Sequence, residues 1–179
     1  MLVSRLRRAL RLRYSTSVRP ARAASVAILL LSGMLPAQTW PEGSWTEEIL
    51  DAHNRVRAQT GAPPLTWSDQ LAAVAQQWAD YLLRSGEFCH RTPSRFGENL
   101  FEIRGRPAPP TLSVDRWAAE AADYDAGRNS CRSGVRCGHY TQIIWRATKR
   151  VGCAVARAGN REVWVCNYDP PGNVIGQRP

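Results

Sequence analysis

The chain holds three histidines, His53, His90 and His139, each in a different chemical setting. His139 follows Gly138 in the stretch CGHYTQIIW, residues 137–145, with Cys137 just upstream where a crosslink can hold the turn. Tyr140, Ile143, Ile144 and Trp145 have helical spacing, which predicts a short helix with His139 at its mouth. An imidazole there can act as a proton carrier, a metal ligand or a hydrogen-bonded core group. His90 directly follows Cys89, which suggests a thiol nucleophile beside its base. Adjacent residues in a loop or strand usually point apart, however, and this argues against a Cys-His protease. His53 shares a helical face with Ile49, so its expected role is packing plus a backbone hydrogen bond. No His-Glu-x-x-His occurs, and His90 and His139 are 49 residues apart, so the chain is not a zincin.

These residues need elements to position them. Trp45, Ile49, Ala52 and Val56 recur at helical intervals and predict a first helix ending near Gly61. Ala62-Pro63-Pro64 stops it, and Ser68 can cap a second helix whose core positions are Leu71, Val74, Ala75, Trp78, Ala79 and Leu82, running to Gly86. Residues 87–94 read as a loop carrying Cys89 and His90, and Gly97-Glu98-Asn99-Leu100-Phe101 as a short extended segment. Residues 104–110 (RGRPAPP) are too rich in proline and glycine for regular structure and read as an exposed loop. A third helix is expected over residues 113–126, with Val114, Trp117, Ala121 and Tyr124 inward and Glu120 bordering the buried face.

Near the C-terminus, residues 151–158 and 161–168 flank Gly159-Asn160, a Gly-X pair suited to a two-residue type II′ hairpin turn. Counting outward, Arg157 faces Glu162, Val155 faces Trp164 and Cys153 faces Cys166, all on one side. The cysteines then fall on a non-hydrogen-bonded pair, where Cα atoms approach to ~4.5 Å, which predicts a Cys153–Cys166 disulfide. Cys131 and Cys137 enclose a loop short enough to close locally, predicting a second bridge and leaving Cys89 over. Three helices, extended segments and a terminal hairpin predict a helix-sheet-helix sandwich of the α+β class, not an alternating parallel fold.

The formal charge of +9 suggests a nucleic-acid or membrane partner, but Arg5, Arg7, Arg8, Arg11, Arg13, Arg19 and Arg22 carry seven of those charges. Residues 38–179 retain +2, so no basic patch for nucleic acid is expected on the folded part. After the arginines comes an apolar run over residues 23–35, too short at ~1.5 Å per residue to cross a ~30 Å hydrocarbon core as a helix. A basic region, a short apolar core and Pro36-Ala37 before Gln38 describe a secretory signal peptide over residues 1–37, with the mature domain at 38–179 and no membrane partner after cleavage. Five cysteines, all beyond residue 88, fit an oxidising, extracellular compartment, or the periplasm if the source is bacterial. No asparagine meets the N-x-Ser/Thr rule.

Three ordered motifs, Gly97-Glu98-Asn99-Leu100, Cys137-Gly138-His139-Tyr140-Thr141-Gln142 and Cys166-Asn167-Tyr168-Asp169-Pro170-Pro171-Gly172-Asn173, resemble the hallmarks of the CAP superfamily. That superfamily contains the cysteine-rich secretory, antigen 5 and pathogenesis-related 1 proteins. His53-Asn54-x-x-Arg57 and Pro64-Leu65-Thr66-Trp67 resemble its plant members, and the likeness spans roughly residues 45–179. The resemblance implies an α-β-α sandwich of three to four helices on a central antiparallel sheet. It also implies a cavity with two histidines and two glutamates, which carry over to His90, Glu98, Glu120 and His139. One departure is that the third family disulfide lacks a partner here, so the resemblance leaves Cys89 free or pairing between chains.

A histidine pair can bind a borderline ion such as Zn²⁺, with water or carboxylate completing the shell and protons competing near pH ~6.5. A hydrolase would use Glu98 or Glu120 as general base on a metal-bound water, but no nucleophile and oxyanion hole assemble in the sequence. A glycosidase would use the same two glutamates, at a separation that sequence does not give. The family likeness also implies a secreted binding or defence module, with a sterol, lipid or other small hydrophobic ligand as partner. The expectation is therefore ligand binding in preference to catalysis.

Overall fold

A computed structural model describes residues 44–179, so the leader expected over residues 1–37 lies outside the described residues. The elements run α1 (Ser44–Gln59), β1 (Thr66–Trp67), α2 (Asp69–Ser85), β2 (Gly97–Arg104), α3 (Thr111–Ala118), β3 (Tyr124–Asp125), β4 (Ser130–Cys131), α4 (Gly138–Ile143), β5 (Arg150–Ala158) and β6 (Arg161–Asp169). The main sheet has the order β1-β5-β6-β2, and β3 and β4 form a separate ribbon.

The hairpin β5–β6 is the spine of the sheet, and its register is the expected one: Arg157 with Glu162, Val155 with Trp164, Cys153 with Cys166. Gly159 takes φ +57°, the conformation that the first position of a II′ turn requires and that glycine adopts without penalty. The Cys153–Cys166 bond forms at a Cα separation of 4.0 Å, tighter than the spacing expected for the pair, and Cys131–Cys137 forms at 5.6 Å. Cys89 is free and exposed.

Strand alternation distributes the core to both faces of the sheet. Cys153, Trp164, Cys166 and Tyr168 pack with Ile49, Ala52 and Val56 of α1, Val114 and Trp117 of α3, and Ile143 and Ile144. On the other side Ala154, Ala156, Val163 and Val165 pack against Ala75, Ala79 and Leu82 of α2. The result is the α-β-α sandwich. Ser68 caps α2 by accepting from Leu71 N at 3.3 Å, and Gly86 closes it with φ +77°.

The small residues on the α2 side bring the backbones together. A Cβ on Gly152 would lie 2.2 Å from Ala72 N and 2.4 Å from Ser68 O. Both are backbone atoms with no rotamer to move, so Gly152→Ala is expected to destabilise the domain by about 3 kcal/mol in urea melts, the top of the overpacking range.

Three expectations need correction. The sheet is mixed, because the two-residue β1 pairs parallel to β5, a contact between Thr66 and Arg150 that no local pattern announces. The third helix stops at Ala118 and tightens into a 3₁₀ turn over Ala119–Asp123. That change of period leaves Ala121 exposed and makes the half-buried Tyr124 the start of β3. Nor is the 104–110 segment simply an exposed loop: Arg104 ends β2, Ala108 is 2% exposed, and Ala108 N donates to Glu162 Oε2 at 3.2 Å.

Candidate functional site

His90, Glu98 and His139 line one cleft of about 320 Å³, together with Asn99, Arg136, Asn173, the Cys131–Cys137 disulfide and its neighbours Val135 and Gly138. Glu98 stands on β2 and His90 in the loop after α2. His90 Nδ1 donates to Glu98 Oε1 at 2.7 Å, and Arg91 N donates to the same oxygen at 3.1 Å. The Glu98 side chain is 5% exposed, and its Oε2 is buried with no hydrogen-bond partner among the described residues. Pairing with Glu98 raises the His90 pKa, against the opposing effects of burial and the Arg136 charge.

Glu120 stands behind His139 and is not part of the cleft lining. The 3₁₀ turn carries its carboxylate over the start of α4. There Oε1 accepts from His139 Nδ1 at 2.6 Å, and Oε2 accepts from the backbone N–H of His139 and Tyr140 at 2.9 and 3.2 Å. Both N–H groups lie in the first helical turn, where no intrahelical acceptor exists. Trp117 stacks on the His139 ring at 6.1 Å between centroids. The imidazole is thus fixed on one side by a carboxylate and on one face by an indole.

The two histidines share one hydrogen-bonding pattern: each has Nδ1 on a carboxylate, and in the neutral imidazole with Nδ1 as donor this leaves Nε2 with the lone pair of a metal ligand. The buried, unpartnered Glu98 Oε2 suits a cation or a protic ligand. The donor types, imidazole nitrogen and carboxylate oxygen, are those of a zinc-class ligand set. Among the described residues the group whose donor atoms all lie within 4.8 Å of one another is His53 with Cys153 and Cys166, and it offers no thiolate, because its sulfurs are joined.

His53 does what its helical face suggested and also something that no spacing revealed. Its Nδ1 donates to Ile49 O at 2.7 Å, so Nε2 accepts from the Tyr168 hydroxyl at 2.8 Å. Tyr168 in turn accepts from Asn99 Nδ2 at 3.2 Å, and the same amide reaches His139 O at 3.1 Å. A buried polar chain thus links α1 through β6 and β2 to the backbone of His139. Arg57, absent from the sequence-predicted site, is fully buried and donates to four carbonyls, Pro63, Ile143, Trp145 and Thr148, at 2.6 to 3.1 Å. It fixes the far end of α4, as Glu120 fixes the near end. The His53-Asn54-x-x-Arg57 pattern was the available signal for both residues.

The profile of the cysteine-rich secretory protein family, the CAP family, matches residues 50–168. The chain belongs to this family. Among its relatives, a pathogenesis-related protein of the PR-1 type from Sambucus nigra is 39% identical over 161 residues, covering 87% of this chain and 93% of the relative. Pathogenesis-related protein 1A from Nicotiana tabacum is 45% identical over 134 residues, covering 74% and 79%. Among solved CAP structures, NaASP2 with Zn²⁺ superposes at a TM-score of 0.62 with 21% identity, covering 78% of this chain and 88% of that one, a likeness of fold. Among the described residues no helix is long and apolar enough to cross a membrane. The two disulfides fit an oxidising compartment.

Proposed function

We propose that this CAP-family protein is a secreted recognition module whose cleft binds a divalent cation of the zinc class through Nε2 of His90 and His139. The observation carrying this reading is the matched hydrogen bonding of two imidazoles that line one cleft, each with Nδ1 on a carboxylate 2.6 to 2.7 Å away. Such carboxylate–histidine pairs fix the tautomer and raise ligand basicity. Glu98, with a buried oxygen to spare, supplies negative charge beside the ion. The relatives' names point to a defence role as the process served.

Binding is favoured over turnover. Glu120 has both oxygens engaged by His139 and Tyr140, Glu98 keeps one oxygen on His90 and Arg91 and the other buried, and no activated nucleophile is among the residues lining the cleft. The metal-dependent hydrolase is thus the lesser reading. A sterol or lipid is ranked below the ion because His90, Glu98, Asn99, Arg136, His139 and Asn173 all line the cleft, although apolar atoms make up the larger part of its exposed lining. Saturable retention of a radiolabelled sterol or fatty acid by the purified domain would reverse that ranking.

The test is a thermal melt with and without Zn²⁺. Wild type is expected to rise by several degrees, and His90→Ala and His139→Ala to show no rise; an equal rise in all three refutes the site. Acidification should weaken the effect, because protons and metal compete for the same nitrogens.

A further inference from the structure

We infer that the metal-loaded cleft takes a phosphate monoester, with Arg136 as the second anchor of its oxygens. This deepens the proposed metal site and rests on it.

Arg136 lines the cleft from the loop that the Cys131–Cys137 disulfide closes, and its chain neighbour Cys137 is 1% exposed. The Cα of Arg136 is therefore tethered at the rim next to a buried half-cystine. Arg132 pairs with Asp123 at 2.5 Å, Arg57 has its four carbonyls, and the Arg91 guanidinium lies over the Trp78 ring at 5.8 Å. The Arg136 guanidinium is exposed and finds no acceptor among the described residues.

The charge balance selects the ligand. With neutral imidazoles the lining residues sum to zero, Glu98 against Arg136, so the unloaded cleft has no net attraction for an anion. A divalent ion makes the lining cationic, and it remains so when Glu120 behind His139 is counted. A phosphate monoester carries about −1.5 to −2 at neutral pH and offers three acceptor oxygens, enough to meet a metal and a guanidinium fork together. A carboxylate carries one charge, which the metal alone satisfies. A volume of about 320 Å³ suits a headgroup and not a whole lipid.

The test is calorimetry with phenyl phosphate as the probe, titrated into the mature domain with and without one equivalent of Zn²⁺. Zinc-loaded wild type is expected to bind it. Zinc-free wild type and zinc-loaded Arg136→Gln are expected to bind it at least tenfold more weakly, acetate likewise, and Arg136→Lys should fall between because the fork is lost. Arg136→Gln should bind Zn²⁺ at least as tightly as wild type, since a positive charge has been removed from the rim. Equal phenyl phosphate affinity in wild type and Arg136→Gln, or in the zinc-free and zinc-loaded protein, overturns the inference alone. Failure of wild type to bind Zn²⁺ overturns the metal reading and this one with it. Dihexanoyl phosphatidic acid is the second arm. Affinity at least tenfold above that of phenyl phosphate identifies a lipid phosphate as the source, and equal affinity a free ester; both support the site.

Discussion

Replacing Arg57 by methionine is expected to destabilise the domain by about 4 kcal/mol or more, enough to leave much of the chain unfolded if its total stability is in the common range of ~5–15 kcal/mol. The side chain is fully buried, and its partners are four backbone carbonyls without a carboxylate among them. Methionine fills much of the same volume, so the loss is not a cavity effect. It leaves the Pro63, Ile143, Trp145 and Thr148 carbonyls buried with fewer donors, at ~1–3 kcal/mol for each one left unsatisfied. Two of these carbonyls, Ile143 and Trp145, belong to the end of α4 and its exit, so the change also loosens the helix that presents His139. Urea melts of wild type and Arg57→Met at pH 7 measure the difference; a loss under 1 kcal/mol would show that water or a rearranged loop satisfies the carbonyls.

Acid is expected to cost the fold on the order of 3 kcal/mol between pH 6.5 and pH 4 through His53 alone. Burial lowers its pKa to about 4, with the Ile49 bond opposing and the Arg57 charge assisting. In that window the unfolded chain takes up a proton that the folded chain refuses. Stability from this group is therefore complete above about pH 6.5 and is lost as pH falls toward the folded value. His90, raised by Glu98, contributes with the opposite sign: its stability is present below its ordinary value and lost as pH rises through the raised one. The contrast between wild type and His53→Gln separates the two. Wild type should lose markedly more urea resistance than His53→Gln between pH 7 and pH 4.5. Parallel curves would show that His53 accepts a proton in the fold.

What the sequence reveals depends on how far apart the interacting residues are. The Cys153–Cys166 bond and the pairing of Arg157 with Glu162 follow from counting outward from Gly159-Asn160, because a hairpin makes its long-range pairs local. The cap at Ser68 and the stop at Gly86 are legible for the same reason. His139 at the mouth of α4 can be read from Tyr140, Ile143 and Ile144. Arg57 cannot be read this way, since its acceptors lie up to 91 residues away and are backbone atoms without a sequence signature. The His53–Tyr168 bond spans 115 residues, and a Cβ on Gly97 would sit 2.2 Å from Gln142 Oε1, a neighbour that no local pattern reveals. The end of α3 at Ala118 is invisible because Ala121 continues the helical period, while the Glu120 contacts to His139 favour the tighter turn. The grouping of the cleft residues came from family resemblance, not periodicity.

The central claim concerns the two Nε2 atoms, and an anomalous difference map from crystals of residues 38–179 soaked in Mn²⁺ or Zn²⁺ tests it most directly. The account predicts one strong peak within bonding distance, about 2.0 to 2.2 Å, of Nε2 of both His90 and His139. A fully soaked crystal with no peak in the cleft, or with a peak bound to one of the two histidines alone, would contradict it.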